Sequence, residues 1–148
     1  MALKDQILDD VKAAMRAGEK SRLVTLRMLT AAIKQHEVDS RTEAEDADTL
    51  RIVEKLVKQR REAAEQFRKA GRTELADKEV AEADILKAYL PEPLDDAALD
   101  ALIDEVIAAT GAASPRDMGK VMNAIRAQAQ GRADMGAVSK RVKARLAG

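Results

Sequence analysis

The 148 residues contain no cysteine and no tryptophan, and Phe67, Tyr89 and His36 are each the sole residue of their kind. The lack of cysteine excludes a disulfide framework and thiolate chemistry. One histidine leaves carboxylates as the only plentiful metal-ligand type, and no serine or threonine has a partner histidine nearby in sequence for a triad. Seven glycines lie dispersed, so no glycine-rich phosphate loop forms. No apolar run approaches the roughly 20 residues that span a bilayer. Leu3 to Met15 is amphipathic and interrupted by Asp5, Asp9 and Asp10, unlike a signal peptide. The expectation is a soluble cytoplasmic protein without membrane contact, cofactor, metal, catalytic residue or small-molecule substrate.

Alanine and charge are abundant instead. There are 29 alanines, and 26 basic residues balance 26 acidic ones. Alanine forms helix readily and fills little volume, which favours close-packed helices. With only three prolines, the composition predicts an all-α fold. Charge is unevenly distributed. Residues 91–110 carry six acids and no base, whereas 111–148 carry eight bases against Asp117 and Asp134, a net of +6. Residues 51–72 carry a further net of +5. Whole-chain neutrality therefore does not exclude a polyanion partner.

Apolar periodicity divides the chain into seven helices. The first covers 2–17, with Leu3, Ile7, Val11 and Met15 inward and Gly18 as its stop. The second runs from Ser21 to His36, followed by a polar connection, Glu37 to Arg41. Thr42 and Glu45 read as a capping box for a third helix reaching Ala70. Thr73 reads as the cap of a fourth, with Leu75, Ala76, Val80, Ala83 and Leu86 inward. Pro91 and Pro93 end it and make a stiff joint at 91–93. A fifth helix starts at Asp95 or Asp96 and stops at Gly111, a sixth spans 115–130, and a seventh about 135–146. Two lobes follow: a four-helix N-terminal lobe, 1–90, and a C-terminal three-helix bundle, 94–148.

The densest punctuation is S-P-R-D-M-G-K-V-M at Ser114 to Met122, followed by G-R-A-D ending at Asp134. Ser114 suits an N-cap, Pro115 the first helical position and Asp117 the capping-box acid. Asp134 suits the cap of the last helix. Arg116 and Lys120 sit at a helix start, where the dipole disfavours cations, and that misplacement points to a ligand. Gly119 costs about 1 kcal/mol relative to alanine inside a helix, so a close backbone, from a neighbouring helix or a ligand, is expected there. Lys140, Arg141, Lys143 and Arg145 crowd the last helix. With no aromatic residue in this lobe, stacking on single-stranded bases is excluded. RNA contact would be to backbone and shape, and salt-sensitive. Glu79 and Glu82 form the one candidate carboxylate pair, with ion pairing to Arg60, Arg61 or Arg72 the favoured account of them.

D-M-G-K-V-M-N-A-I from Asp117 to Ile125, the G-R-A-D after it and Y-L-P-E at Tyr89 to Glu92 together resemble the YqeY family. L-R-M at Leu26 to Met28, K-Q-R at Lys58 to Arg60, A-G-R at Ala70 to Arg72, and Glu82 with Ile85 and Leu86 fit the same pattern. That family is related to the C-terminal tail domain of GatB, the B subunit of glutamine-dependent tRNA amidotransferase. The resemblance implies a two-lobed helical fold. It also implies a tRNA-binding or accessory role for a tRNA-amidotransferase complex, without the carbon–nitrogen ligase domain. Carried onto this chain, the RNA contacts are Arg116, Lys120 and Arg132, with Lys140, Arg141 and Lys143 beside them. Pro93 stands where glutamine is commoner, and Met135 where glycine often follows G-R-A-D. The alternative class is a protein-interaction or scaffold module whose basic face meets an acidic partner, including its own 91–110 stretch.

Overall fold

Alanine-rich amphipathic segments build this molecule, and left-handed residues close or follow several of them, Gly18, Arg41, Gly71, Gly111 and Gly131. The structure is a computed structural model and describes residues 1–147. Among these residues the chain forms seven α-helices, one 3-10 turn and no strand. They divide into two units, Met1–Leu90 and a second from Pro91 onward.

The first unit holds α1 (Leu3–Ala17), α2 (Lys20–Ser40), α3 (Asp46–Lys69) and α4 (Thr73–Lys87). Ile7, Leu29, Ile33, Val53, Val57, Ala83 and Leu86 form its core, with Leu3, Ile52, Leu56 and Tyr89 against it. Gly18 closes α1 at φ 69°, and its N–H returns to carbonyls of the last turn. Alanine would be strained at that angle. Arg41 closes α2 at φ 57°, where a non-glycine residue costs roughly 1–2 kcal/mol.

Four sequence expectations are corrected here. The second helix continues through Ser40, so Glu37 to Ser40 is helical rather than a connection. The capping box of α3 lies three residues later, between Glu45 and Asp48, with Glu45 N–H donating to the Asp48 carboxylate at 3.0 Å. Thr73 lies inside α4, and Arg72 before it makes no side-chain cap bond. Met15 and Leu75 are exposed, not inward. For Met15 the reason is geometric. A spacing of four overshoots one turn by about 40°, so three such steps from Leu3 rotate the side chain about 120° away from it. Ala14, nearer the line of Ile7, is buried instead.

The second unit holds α5 (Asp96–Thr110), a 3-10 turn (Pro115–Asp117), α6 (Met118–Ala129) and α7 (Met135–Ala147). Asp95 caps α5 by accepting from the Ala98 N–H at 2.7 Å. The predicted sixth helix is thus split, its first turn wound as 3-10. Leu99, Ile103, Val106, Val121, Ile125, Val138 and Val142 make the core. These are small aliphatics, and burying each contributes on the order of 1.5–3 kcal/mol. The turn before α7 is tied back to the start of the unit. Arg132 Nε donates to the Glu92 carbonyl at 2.9 Å, and the Leu94 N–H donates to the Arg132 carbonyl at 2.8 Å.

Candidate nucleic-acid interface

The 3-10 turn sets the local electrostatics. Ser114 and Asp117 form a capping box, and the Asp117 carboxylate accepts from the N–H of Ala113 at 2.9 Å and of Ser114 at 3.3 Å. Those two hydrogen bonds, helped by Lys120, hold its carboxyl below the ordinary aspartate range. A carboxylate already occupies this helix start, so a phosphate has no reason to sit on it. Arg116 is exposed and its side chain makes no hydrogen bond or ion pair among the described residues, and Lys120 Nζ lies 3.8 Å from Asp117 Oδ1.

Gly119 departs from expectation. No neighbouring helix backbone approaches it, since a Cβ built there would meet nothing within 4 Å. The glycine opens onto free space on the same helix as Lys120, Asn123 and Ala127, all exposed. Arg126, which the sequence reading passes over, is also exposed on α6, its guanidinium 3.4 Å from Asn123 Oδ1.

On α7 the basic residues separate into two groups. Arg141 donates to Asp96 at 2.6 Å and to Asp100 at 3.0 Å, and Arg145 pairs with Asp100 at 3.6 Å and with Asp104. Asp100 first, then Asp96, raises the Arg141 pKa further above the ordinary arginine value. Three aspartates four residues apart on α5 thus face two arginines four residues apart on α7, and both spacings are one helical turn. Lys140 and Lys143 are exposed and have no such partner. Arg132 spends its Nε on Glu92, and Asp134 accepts from the Gly136 N–H at 3.1 Å, capping α7. Residues 91–148 carry eight basic and eight acidic side chains. The +6 read from 111–148 alone is therefore largely balanced within the folded unit.

The other candidates resolve into structural contacts. Arg60 on α3 lies 3.0 Å from Glu82 and 3.7 Å from Glu79 on α4, and touches the Met28 sulfur on α2. The carboxylate pair is thereby occupied by a guanidinium. His36 Nε2 lies 3.8 Å from Asp48. Among the described residues no group of three or more histidine, cysteine or acidic side chains is placed to hold a metal ion. Nor is any helix among them long and apolar enough to cross a membrane.

The model of the family described as Yqey-like protein matches residues 4–146. The chain belongs to that family. A Schizosaccharomyces pombe protein described as uncharacterized is 34% identical over 90 residues, 61% of this chain and 70% of its own length. The Eremothecium gossypii protein named "Altered inheritance of mitochondria protein 41, mitochondrial" is 43% identical over 82 residues, 55% of this chain and 45% of its own. A like-named Pyrenophora tritici-repentis protein is 29% identical over 137 residues, covering 90% and 75% of the two chains. The Yqey-like chain here thus spans less than half of the Eremothecium relative. The Yqey-like match takes in both units, and the two basic segments with them.

Proposed function

We propose that the protein is a non-catalytic accessory module that holds RNA by its phosphates, with tRNA in the setting of the tRNA amidotransferase as the partner. One observation carries the reading. On a unit of balanced charge, Arg116, Lys140 and Lys143 stand exposed without a partner among the described residues, while neighbouring Arg141 and Arg145 are paired internally. Packing of α7 against the Pro115–Asp117 turn joins the two segments that carry the unpaired cations. An unpaired cation is available to displace counterions from a phosphate backbone. A paired one must first give up its carboxylate. Lys120 joins the set because it is itself exposed and its 3.8 Å contact with Asp117 lies near the outer limit of an ion pair.

The test is binding of the intact chain to bulk tRNA across a salt series. Each phosphate neutralised contributes a slope of about −0.9 in log affinity against log salt, so four cations give roughly −3 to −4. Arg116→Ala/Lys120→Ala is expected to reduce that slope by about 2. A flat salt response, or an unchanged slope in the double variant, overturns the proposal. The α5–α7 ion pairs favour the second reading, a scaffold module without nucleic acid, and a flat response would leave that reading standing.

A further inference from the structure

The exposed large apolar side chains are gathered in one region. Of the six, only Leu75 lies beyond α2. Leu8 is 43% exposed and Met15 52% on α1, and Val24 is 62% and Val38 60% on α2. Their spacing is regular. Leu8 and Met15 stand seven residues apart, as do Val24, Ala31 and Val38, and seven residues is close to two full turns. Each helix therefore carries a straight apolar line on its outer surface. The helices run antiparallel, fixed at one end by Lys4 and Glu37 at 2.8 Å and at the other by Arg22 and Asp10 at 4.0 Å. An open groove lies between them, with Leu8, Ala31 and Ile33 among its lining residues. Ala31 keeps the wall low, so another backbone can approach closely.

The charge beside the groove has one sign left over. Glu37 is already held by Lys4 and by the Ala44 N–H. Arg27 and Lys34, also seven apart, line the groove and make no ion pair among the described residues. A groove lined by Leu8 and Ala31 that also carries Arg27 and Lys34, with Met15, Val24 and Val38 exposed along the same two helices, suits the helix-in-groove mode of recognition.

We propose that the α1–α2 groove is a docking site for an amphipathic helix of a partner protein, apolar on one face and flanked by glutamate or aspartate. Two observations select this occupant. An antiparallel second copy of α2 would bring Arg27 and Lys34 against their own counterparts, a like-charge contact that costs affinity. The face also lacks the bulky aromatic anchors of interfacial helices. This site is independent of the phosphate-binding reading, since it lies on the other unit and uses none of the same residues.

The experiment uses the full chain and a designed helical peptide with leucines at heptad spacing and glutamates on both flanks, followed by fluorescence anisotropy. Arg27→Glu/Lys34→Glu is expected to weaken binding by about ten-fold or more, and a lysine-flanked version of the peptide to regain it. Lys55→Glu/Lys58→Glu on α3, which alters net charge equally, leaves peptide binding unchanged. The inference is overturned if the acidic peptide does not bind, or if the α3 reversal weakens it as much. It is likewise overturned if sedimentation shows a dimer that Ala31→Arg dissolves, which would assign the groove to a second copy. Binding of phosphatidylglycerol vesicles in place of the peptide, lost in Val24→Lys, would assign it to a membrane and also overturn it.

Discussion

Arg141 reaches back forty-one residues to Asp100, its Nη1 lying 3.0 Å from the carboxylate oxygen of a helix of opposite charge. This contact separates residues that look alike in sequence. Arg141 faces α5, and Lys140 beside it faces outward.

Their substitutions should therefore differ in kind. Arg141→Ala is expected to lower the urea midpoint slightly, because exposed ion pairs contribute little, and to leave the salt slope of tRNA binding unchanged. Lys140→Ala/Lys143→Ala should leave the midpoint in place and reduce the slope by about 2. Urea melts and salt titrations on both variants check the contrast.

Arg60 presents the opposite case. It is largely buried between Glu79 and Glu82, so removing it leaves two close carboxylates without a counter-charge. Breaking a fully buried pair costs about 3–5 kcal/mol, and this partly exposed one should cost roughly 2–3 kcal/mol in Arg60→Met. Adding Glu79→Gln and Glu82→Gln should recover part of that loss in the same urea assay.

Two glycines with equal room should respond in opposite directions. A Cβ at Gly119 or at Gly111 meets nothing within 4 Å, but Gly111 sits at φ 67°. Gly119→Ala should stabilise by about 0.5–1 kcal/mol through helix propensity alone. Gly111→Ala should destabilise by roughly 1 kcal/mol, since alanine resists the left-handed region. Arg41→Gly should gain stability for the converse reason. Thermal melts of the three variants decide.

Acid sensitivity should trace to Glu37. Its hydrogen bond from Lys4, then that from the Ala44 N–H, holds its carboxyl below the ordinary value of 4.5. A lowered folded-state pKa gives stability that is present above 4.5 and lost as pH falls through the folded value. Lys4 is shifted upward by the same contact, so its share is present below 10.5 and lost at still higher pH. Urea midpoints measured on the acid side should fall less steeply in Glu37→Gln than in the parent chain.

The helices are legible because each is a local matter, an apolar stripe that in four cases meets a glycine at positive φ, Gly18, Gly71, Gly111 or Gly131, at or just past its end. Errors arose where local signals compete. Thr42–Glu45 and Glu45–Asp48 both satisfy a capping-box spacing, and only packing selects the second. Met15 followed a spacing of four that real helical pitch does not keep. The interface was less legible. Periodicity tells which side of α7 Arg141 occupies, but not that Asp96 and Asp100 wait there. Counting charge along 111–148 therefore overstated the cationic surface, and sequence gave no reason to set Lys140 apart from Arg141. The groove between α1 and α2 is hidden in the sequence because a spacing of four turns Met15 inward and nothing local marks Val24 and Val38 as exposed.

The hydrogen bonds around Arg132 bear on where this polypeptide can be cut. Its Nε grips the carbonyl of Glu92, and its own carbonyl receives the N–H of Leu94. Both grips are on main-chain atoms, so the side chain at position 92 is free to vary while the peptide group itself is required. A protease or a truncation acting between Glu92 and Leu94 would therefore detach one of the two fastenings of the α6–α7 corner, although no helix would be touched. Within the second unit, which begins at Pro91, the short proline segment acts as a strap on that corner.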